Sequence, residues 1–286
     1  MNTKSISLLI LSFILTTSLV LAQDDTNASG QLIPAGDEVM EQFTIRQAVS
    51  SEIALISMVT ITPSGQQETR EFFSIYYRDQ EEISYLIRMI SPEAVRGVSL
   101  LGKGMDGKMS DQFLYLTDLG RVSKVRDTGR SVYFLASDFT YEDLINEIPD
   151  HFEYQRLADE VVQGVNCFKI KATPVEEKVK SGYTGRMLYI SKDKDYNLLK
   201  AEFFGEGDKL IKTFEAFDYH AAGEEIRTMR PKRAVMVNHD KKTKTILTIL
   251  GDRINFNLDP AMLTPEGIAK WSGEQDEALL SALKGE

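Results

Sequence analysis

Residues 167–173 read Cys-Phe-Lys-Ile-Lys-Ala-Thr, and this stretch indicates the kind of fold that the chain forms. Its second, fourth and sixth residues are apolar, and lysines stand between them. Side chains alternate between the two faces of a β-strand, so the pattern predicts a strand with one apolar and one polar face. It is the cleanest alternation in a chain where strand signals dominate.

Strand signals continue on both sides of this stretch, separated by short polar turns. Several of these segments are apolar on both faces, and the predicted helices are too few to cover a sheet of this size. We therefore expect a large, meandering antiparallel sheet that is strongly curved, with helices over its concave side. The predicted strands are residues 53–61, 72–77, 83–90, 98–101, 113–116, 121–125, 167–173, 187–190, 198–204, 210–217, 233–237 and 245–250.

Helical signals are confined to four short segments, residues 38–50, 140–145, 265–271 and 276–283. The second begins with Thr140 and carries Asp143 three residues later, a weak form of the capping box. No internal repeat or linker interrupts the chain, which predicts a single α+β domain.

The first 22 residues read as a cleavable signal peptide. Lys4 supplies the positive charge, residues 8–21 form an apolar run, and Ala22 provides a small residue for cleavage. The alternative is a membrane anchor, but the run is shorter than the roughly 20 apolar residues that a span needs. Residues 23–37 are polar and predict a flexible leader, which leaves residues 38–286 for the folded domain.

Composition excludes several classes of protein. The chain has 286 residues, of which 42% are hydrophobic, and a formal net charge of -10. This acidic balance argues against a nucleic-acid binder. The single cysteine, Cys167, excludes an intramolecular disulfide and a zinc site built on paired cysteines. No later apolar run approaches spanning length, so we expect the mature chain not to be embedded in a membrane.

Several segments resemble catalytic or ligand-binding motifs but lack the neighbouring residues or elements that those motifs require. Residues 102–107 match G-x-G-x-x-G, but another strand follows where a nucleotide-binding protein has a helix, so a glycine-rich turn is predicted. Residues 193–204 begin like a calcium loop but lack its glycine and glutamate. His151, His220 and His239 show no motif spacing, although members of a catalytic triad can be distant in the chain. We expect no catalytic residue, metal or cofactor.

One region resembles a known family. Residues 96–101 (RGVSLL), 111–116 (DQFLYL), 121–125 (RVSKV) and 134–144 (FLASDFTYEDL) resemble the outer-membrane lipoprotein-sorting proteins, the LolA-like periplasmic carriers. The similar branch is often encoded beside RND-type membrane transporters and has Gly-Ser-Asp-Phe before a Tyr-Glu-Asp-Leu-like helix. Ala136 stands here in place of that glycine. The resemblance extends over about residues 38–259.

The resemblance implies an unclosed antiparallel β-barrel of about 11 strands, covered by a few short helices. Relatives hold acyl chains in an apolar cavity, shuttle lipoproteins or lipids across the periplasm and catalyse no reaction. It therefore implies two partners, the acyl chains of a lipoprotein or lipid and an RND-type inner-membrane transporter.

Apolar strand residues are the candidates for lining such a cavity, and methionine provides adaptable surface. A one-residue change of register would move the whole set to the opposite face. Asp138 and Glu142 either stabilise the start of a helix or belong to a lid over the cavity. The predicted cavity residues are Ile56, Met58, Phe73, Ile75, Tyr77, Ile87, Met89, Tyr115, Met187, Leu188, Phe203, Phe214 and Met236, and the predicted lid residues are Asp138, Phe139, Tyr141 and Leu144.

Three functions remain open at this point. A carrier of lipid or lipoprotein requires an apolar cavity. A periplasmic adaptor of an RND-type transporter, which carries nothing, would have a filled interior. A hydrolase would show a cleft with histidine and carboxylate side chains close together.

Overall fold

A computed structural model describes residues 34–80, 82–105, 111–126, 131–144, 149–222 and 228–284. The predicted signal peptide, residues 1–22, and residues 23–33 of the predicted leader lie outside the described residues. Residues Ala35–Glu286 cluster as one unit.

The described strands form one antiparallel sheet of 13 strands. They are β1 Ser51–Ile61, β2 Gln67–Asp79, β3 Glu82–Ser91, β4 Ser99–Met105, β5 Asp111–Leu116, β6 Arg121–Lys124, β7 Phe152–Val162, β8 Val165–Pro174, β9 Gly185–Ser191, β10 Leu198–Gly205, β11 Lys209–Ala222, β12 Thr228–Asn238 and β13 Thr243–Ile254. Their order in the sheet is β6-β5-β4-β3-β2-β1-β13-β12-β11-β10-β9-β8-β7. The order is linear, with β6 and β7 at the edges, which confirms the predicted unclosed sheet of an α+β protein with somewhat more strands than expected.

Three α-helices accompany the sheet in the described part of the chain: α1 Gly36–Gln47, α2 Pro265–Lys270 and α3 Gly273–Lys284. The helix predicted over residues 140–145 is instead a single 3₁₀ turn, Glu142–Leu144, before residues that are not described. Its capping box nevertheless forms, because the Thr140 amide donates to the Asp143 carboxylate at 2.6 Å and the Asp143 amide donates to Thr140 Oγ1 at 3.3 Å.

One strand, β7, has no counterpart among the predicted strands. Its sequence, FEYQRLADEVV, contains four charged residues, and most of its positions are exposed or half-buried because it lies at the edge of the sheet. Charged residues are a common protection of edge strands against unwanted pairing, and they hide the apolar alternation on which strand prediction depends.

Alternation along the strands gives the sheet two apolar faces. On β2, Phe72 packs with Met58 and Met89, whereas the adjacent Phe73 packs with Ile53 and Leu86. We call the face that carries Phe72 the inner face. Across β8–β12 the same face carries residues such as Ile170, Leu188 and Met236. The opposite side is the outer face.

Helices α2 and α3 cover the outer face of β1–β5. Ile268, Trp271 and Leu279 are buried there against the cluster that contains Phe73. A buried ion pair joins α3 to β3, with Arg88 Nε 2.7 Å from Asp276 Oδ1. The same carboxylate oxygen accepts a hydrogen bond from Trp271 Nε1 at 2.9 Å.

Helix α1 and the connection between β6 and β7 cover the inner face. Val39 and Met40 of α1 are fully buried in the inner cluster. Gly36 starts this helix directly against β7, where a Cβ atom would lie 2.5 Å from the Tyr154 carbonyl oxygen. We call residues 131–144 the connecting segment, since they belong to the chain that leads from one edge strand of the sheet to the other.

The connecting segment turns back on itself at Leu135 and Ala136. Both residues lie in the left-handed region, with φ of 44° and 56°. The Phe134 amide donates to the Phe139 carbonyl oxygen at 2.8 Å, which closes the turn. Ala136 stands at the position where the similar family has glycine. Its backbone adopts the left-handed conformation that favours glycine, although alanine has a Cβ atom.

We expect Asp276→Ala to lower the free energy of unfolding by about 3–5 kcal/mol, because it leaves Arg88 buried without its counter-charge. Replacing both partners, by Arg88→Met with Asp276→Leu, should recover part of that loss. Urea unfolding measures the difference. Glu93→Ala, which breaks the exposed Arg96–Glu93 pair, is the control and should change stability by less than about 1 kcal/mol. Equal effects of Asp276→Ala and Glu93→Ala would contradict the prediction.

Ala136→Gly should stabilise the protein by about 1 kcal/mol, because the left-handed conformation is costly for residues with a Cβ atom. The control is Ala48→Gly, at an exposed position where φ is -69°, which should instead be neutral or slightly destabilising. Thermal unfolding of both variants provides the comparison. A loss of stability in Ala136→Gly would show that the turn does not have this conformation.

Candidate functional site

A cavity of about 620 Å³ lies on the inner face. Its walls come from α1, from β2 and β3, from the connecting segment and from β9–β12. Carbon atoms form most of the surface, because the side chains that line it are predominantly aliphatic or aromatic. The apolar lining comprises Met40, Phe43, Val49, Ile83, Ile87, Phe139, Leu144, Leu188, Leu198, Ala201, Phe203, Phe214 and Met236, and it is bordered by Ile75 and Leu86, whose side chains belong to the outer cluster.

The cavity exists because the sheet curves. Ile87 on β3 and Leu188 on β9 both line it, although these strands are seven strand spacings apart in the sheet. In a flat sheet, seven spacings would separate them by more than about 30 Å. The inner face is therefore the concave face, and strands from its two halves face each other across the cavity.

One end of the cavity carries charged side chains and borders the solvent. Ala48 and Met105 are exposed there, and Glu52, Arg78 and Arg230 line the same opening. Arg230 donates from Nε to Glu52 Oε1 at 2.9 Å and from Nη1 to Gln47 Oε1 at 2.8 Å. These bonds hold the end of α1 against β1 and β12, so the opening has a fixed polar rim.

A buried charge pair lies next to the cavity, under the connecting segment. Lys212 on β11 is 0% exposed, and its ammonium group contacts the Asp143 carboxylate. It also donates to the Asp138 carbonyl oxygen at 3.3 Å and lies 4.9 Å from the centre of the Tyr183 ring. Tyr183 completes the group, since its hydroxyl donates to Asp143 Oδ1 at 2.8 Å.

Burial perturbs the acid–base properties of this group. Removal from water lowers the pKa of Lys212, and the Asp143 carboxylate opposes that shift. Burial also raises the pKa of Tyr183, and the charge of Asp143 adds to it, so the hydroxyl stays protonated and acts as a donor. Lys212 on β11 and Tyr183 therefore both contact the same carboxylate of the connecting segment, that of Asp143.

Asp138 joins the connecting segment to β13 and does not cap a helix. Its carboxylate accepts hydrogen bonds from the hydroxyl groups of Thr243 and Thr245, the latter at 2.8 Å. Its amide donates to Thr245 Oγ1 at 2.9 Å. The expected capping role is therefore replaced by a connection between distant parts of the chain.

Glu142 likewise differs from the expected helix-dipole role. Its carboxylate accepts hydrogen bonds from the Ser181 hydroxyl and, at 2.7 Å, from the Gly182 amide. Burial raises the pKa of Glu142, and these two hydrogen bonds partly offset the shift. Three carboxylates of one short segment therefore contact three different parts of the barrel wall.

The glycine motif at residues 102–107 is explained by packing. Gly102 and Gly104 lie inside β4, not in the turn that was predicted, and residues 106–110 are outside the described part. A Cβ atom at Gly102 would lie 1.9 Å from Tyr85 Cε1, so the Tyr85 ring lies directly over the backbone of β4. Tyr85 in turn lines the cavity.

Some of the predicted site residues meet at the cavity and others do not. Whether a predicted residue reaches the cavity depends on which face of the sheet it lies on and on its position along its strand. Ile87, Leu188, Phe203, Phe214, Met236, Phe139 and Leu144 line the cavity, as does Ile75, whose side chain belongs to the outer cluster. Ile56, Met58, Met89 and Tyr141 lie on the inner side but pack around Phe134, and Asp138 lies beside Thr245. Phe73, Tyr77, Tyr115 and Met187 lie on the outer face.

The division on β2 has a simple physical origin. Phe72 and Phe73 are both apolar, and so are their neighbours on β1 and β3, so the sequence does not mark which face is inner. Sequence reasoning also missed Lys212 and Tyr183, and the lining residues Met40 and Phe43 on α1. The helical spacing of Val39, Met40 and Phe43 was the available signal for the last two.

The described residues offer little for catalysis. They contain no group of three His, Cys, Asp or Glu side chains that could hold a metal ion. None of the histidines lines the described cavity; His220 pairs with Asp252 at 3.0 Å, and His239 contacts Thr213 at 2.8 Å. Burial raises the pKa of the Cys167 thiol to about 11. Over the same residues, no helix has the length and apolar character of a membrane span.

Solved structures with the same fold include three that cover most of this chain. A crystal structure described as an outer membrane lipoprotein-sorting protein domain from Vibrio parahaemolyticus is 24% identical, with a TM-score of 0.76, covering 82% of this chain and 98% of its own. A DUF1329 family protein from Desulfovibrio piger is 18% identical, with a TM-score of 0.76, covering 82% and 97%. A LolA superfamily protein from Nitrosomonas europaea is 16% identical, with a TM-score of 0.63, covering 81% and 98%.

At the level of sequence, no curated protein matches the chain significantly. A family model described as that of an uncharacterized protein matches residues 81–270, about two thirds of the chain. The predicted LolA-like fold is confirmed by the structural neighbours. The chain therefore belongs to the family whose model matches residues 81–270, and it has the fold of lipoprotein-sorting domains and LolA superfamily proteins.

Proposed function

We propose that this protein is a periplasmic carrier, which binds an acyl chain of a lipid or lipoprotein in the inner cavity and shuttles it between membranes. The observation that carries the proposal is the 620 Å³ apolar cavity between the curved sheet and the connecting segment. Exposing an acyl chain to water costs about 0.8 kcal/mol per methylene, so transfer between membranes needs a shielded site of this kind.

Two further observations support a carrier that works in the periplasm. The predicted signal peptide would export the chain to the periplasm, and a structural neighbour is described as a lipoprotein-sorting domain. Similarity of residues 92–144 to relatives encoded beside RND-type transporters supports such a transporter as the partner that supplies or receives the cargo. The adaptor hypothesis fits less well, because an adaptor has no need of an apolar cavity.

We also propose that the connecting segment is the lid of the cavity. Phe139 and Leu144 line the cavity from this segment, and its carboxylates reach β11, β13 and the Ser181–Gly182 turn. These contacts are polar, so each can be exchanged for water when the lid opens.

Phe43→Glu should weaken lipid uptake at least about tenfold, because it places a charge in the apolar wall and removes a partly buried ring. The matched control is Ile45→Glu on the same helix, since Ile45 is 57% exposed and lies outside the cavity lining. Displacement of a fluorescent fatty acid from the purified mature protein measures the affinity of each variant. Equal binding by both variants, with circular dichroism unchanged, would count against the cavity as the lipid site.

Lys212→Met should release the lid, because it leaves the buried Asp143 carboxylate without its counter-charge. We expect faster amide hydrogen exchange in residues 131–144 and faster dissociation of bound lipid. Lys209→Met is the control, since Lys209 lies on the same strand and its pair with Asp240 is exposed. If hydrogen exchange rose equally throughout the sheet, the charge pair would support the fold in general and the lid assignment would fail.

A further inference from the structure

We infer that a groove beside helix α1 docks a basic segment of a partner protein, one that presents lysine or arginine side chains next to an apolar side chain. The groove lies between α1 and the chain that leads into β7, and its described lining shares no residue with the polar rim of the cavity. Docking there requires no bound lipid. Only the identity of the partner, as the protein that exchanges cargo with this carrier, rests on the proposed function.

The groove has one wall from a helix and one from an edge strand. Asp37, Glu41 and Ile45 of α1 line the first wall, and their spacing of four residues places them on one side of the helix. Phe152 and Tyr154 of β7 line the second wall, with their ring centres 6.2 Å apart. Carbon atoms form most of the groove surface. The groove therefore suits an occupant that brings apolar atoms as well as charge.

The rim of the groove is acidic. Asp37 and Glu41 line it from α1, and Asp150 and Glu153 line it from the opposite wall. All four are exposed, and Lys178 is the one cationic residue in the described lining. Among the described residues, none of the four carboxylates takes part in a hydrogen bond or an ion pair. The groove thus carries negative charge that the described part of the fold does not neutralise.

The distribution of this charge favours an extended cationic partner. Asp37 and Glu41 lie four residues apart on α1, where like charges destabilise a helix, and a bound cation would remove that repulsion. The described residues contain no group of three acidic, histidine or cysteine side chains that could hold a metal ion. The carboxylates are therefore spread along the groove, as an extended basic segment requires. The same charges would repel an anionic membrane surface.

An exposed isoleucine provides the apolar contact. Ile45 is 57% exposed, which makes it one of the most exposed large apolar side chains in the described part of the chain. It follows Glu41 by one turn of the helix. A segment that pairs a cation with Glu41 can therefore place an apolar side chain on Ile45. A small cation such as a polyamine lacks this second contact, so the surface of α1 favours a peptide.

The groove adjoins the cavity. Thr44 and Pro149 line both of them, so the two spaces share part of their walls. Helix α1 lies between them, with Met40 lining the cavity and Asp37 and Glu41 lining the groove. A partner docked in the groove would contact the helix that covers the cavity. This position suits the protein that delivers the cargo or receives it.

The test is a binding series with the mature protein and one synthetic probe, fluorescein-labelled Lys-Lys-Leu-Lys-Lys-Leu-amide. Fluorescence anisotropy measures its affinity, and hydrogen exchange locates it. We expect saturable binding that protects amides in residues 36–47 and 149–154 and that weakens at least about fivefold when salt is raised from about 0.05 M to about 0.5 M. The same peptide with serine in place of leucine should bind about tenfold more weakly.

Matched charge variants assign the binding to the groove. Asp37→Asn with Glu41→Gln should weaken binding at least about fivefold, because it removes two of the four carboxylates. Glu274→Gln with Glu277→Gln makes the same change of net charge at exposed positions of α3. Because charges far from the groove are screened, this control should change the affinity by less than about twofold.

A second pair of variants tests the apolar contact. Ile45→Ser should weaken binding of the leucine peptide at least about fivefold. Leu250→Ser on β13, where the side chain is 52% exposed, makes a similar change outside the groove and should leave the affinity unchanged. Both side chains are mostly exposed, so circular dichroism should show that both variants fold.

The outcomes separate this inference from the proposed function. No binding of the probe, or equal effects of the α1 and α3 charge variants, would overturn the docking site. A dimer of the protein alone that Asp37→Asn with Glu41→Gln dissociates would assign the groove to a second copy and overturn it too. Equal binding of the leucine and serine peptides would overturn the apolar contact. None of these measurements includes lipid, so the carrier function is tested separately by the lipid uptake of Phe43→Glu.

Discussion

A sheet that is apolar on both faces must be covered on both faces, and the rest of this structure depends on that constraint. Helices α2 and α3 cover the outer face of β1–β5, and Arg88 with Asp276 holds them there. On the inner face, α1 and the connecting segment are too short to cover 13 strands. Curvature solves the problem, since the two halves of the inner face then cover each other. The space that they leave between them is the cavity.

A buried ion pair attaches the covering elements on each face of the sheet, and the two pairs differ in their partners. Arg88 has four acceptors, because its guanidinium group reaches the Asp276 carboxylate, Ser99 and two carbonyl oxygens. Such a fork fixes a helix in one orientation. Lys212 has one carboxylate and one carbonyl oxygen as partners, both from the connecting segment, and aromatic rings on its remaining sides. Its attachment is to one short stretch of chain, so that stretch can separate as a unit.

The sequence predicted the sheet, its meander and the terminal helices, because alternation and helical spacing are local signals. It did not predict β7, whose charges protect an edge. Nor could it place Phe73 on the outer face, since both faces of β2 are apolar and register depends on neighbouring strands. Lys212 was invisible for another reason: a lysine between apolar strand residues normally indicates the solvent side, and only the fold shows its partner Asp143. The Thr140–Asp143 capping box was predicted correctly, although it caps a single turn.

In the proposed carrier, the geometry that shields a lipid would also orient it. The charged side chains of the rim favour the head group there, because a head group among the apolar side chains of the lining would lose its water without gaining partners. The buried Lys212–Asp143 pair does not offer such partners, since each group already satisfies the other. In the proposed carrier, a bound lipid would therefore present its head group at the solvent-facing end, near α1 and the ends of β2 and β4. A membrane protein that receives the cargo would meet that head group before any lid movement, so recognition of the cargo and release of its chain can occur as separate steps.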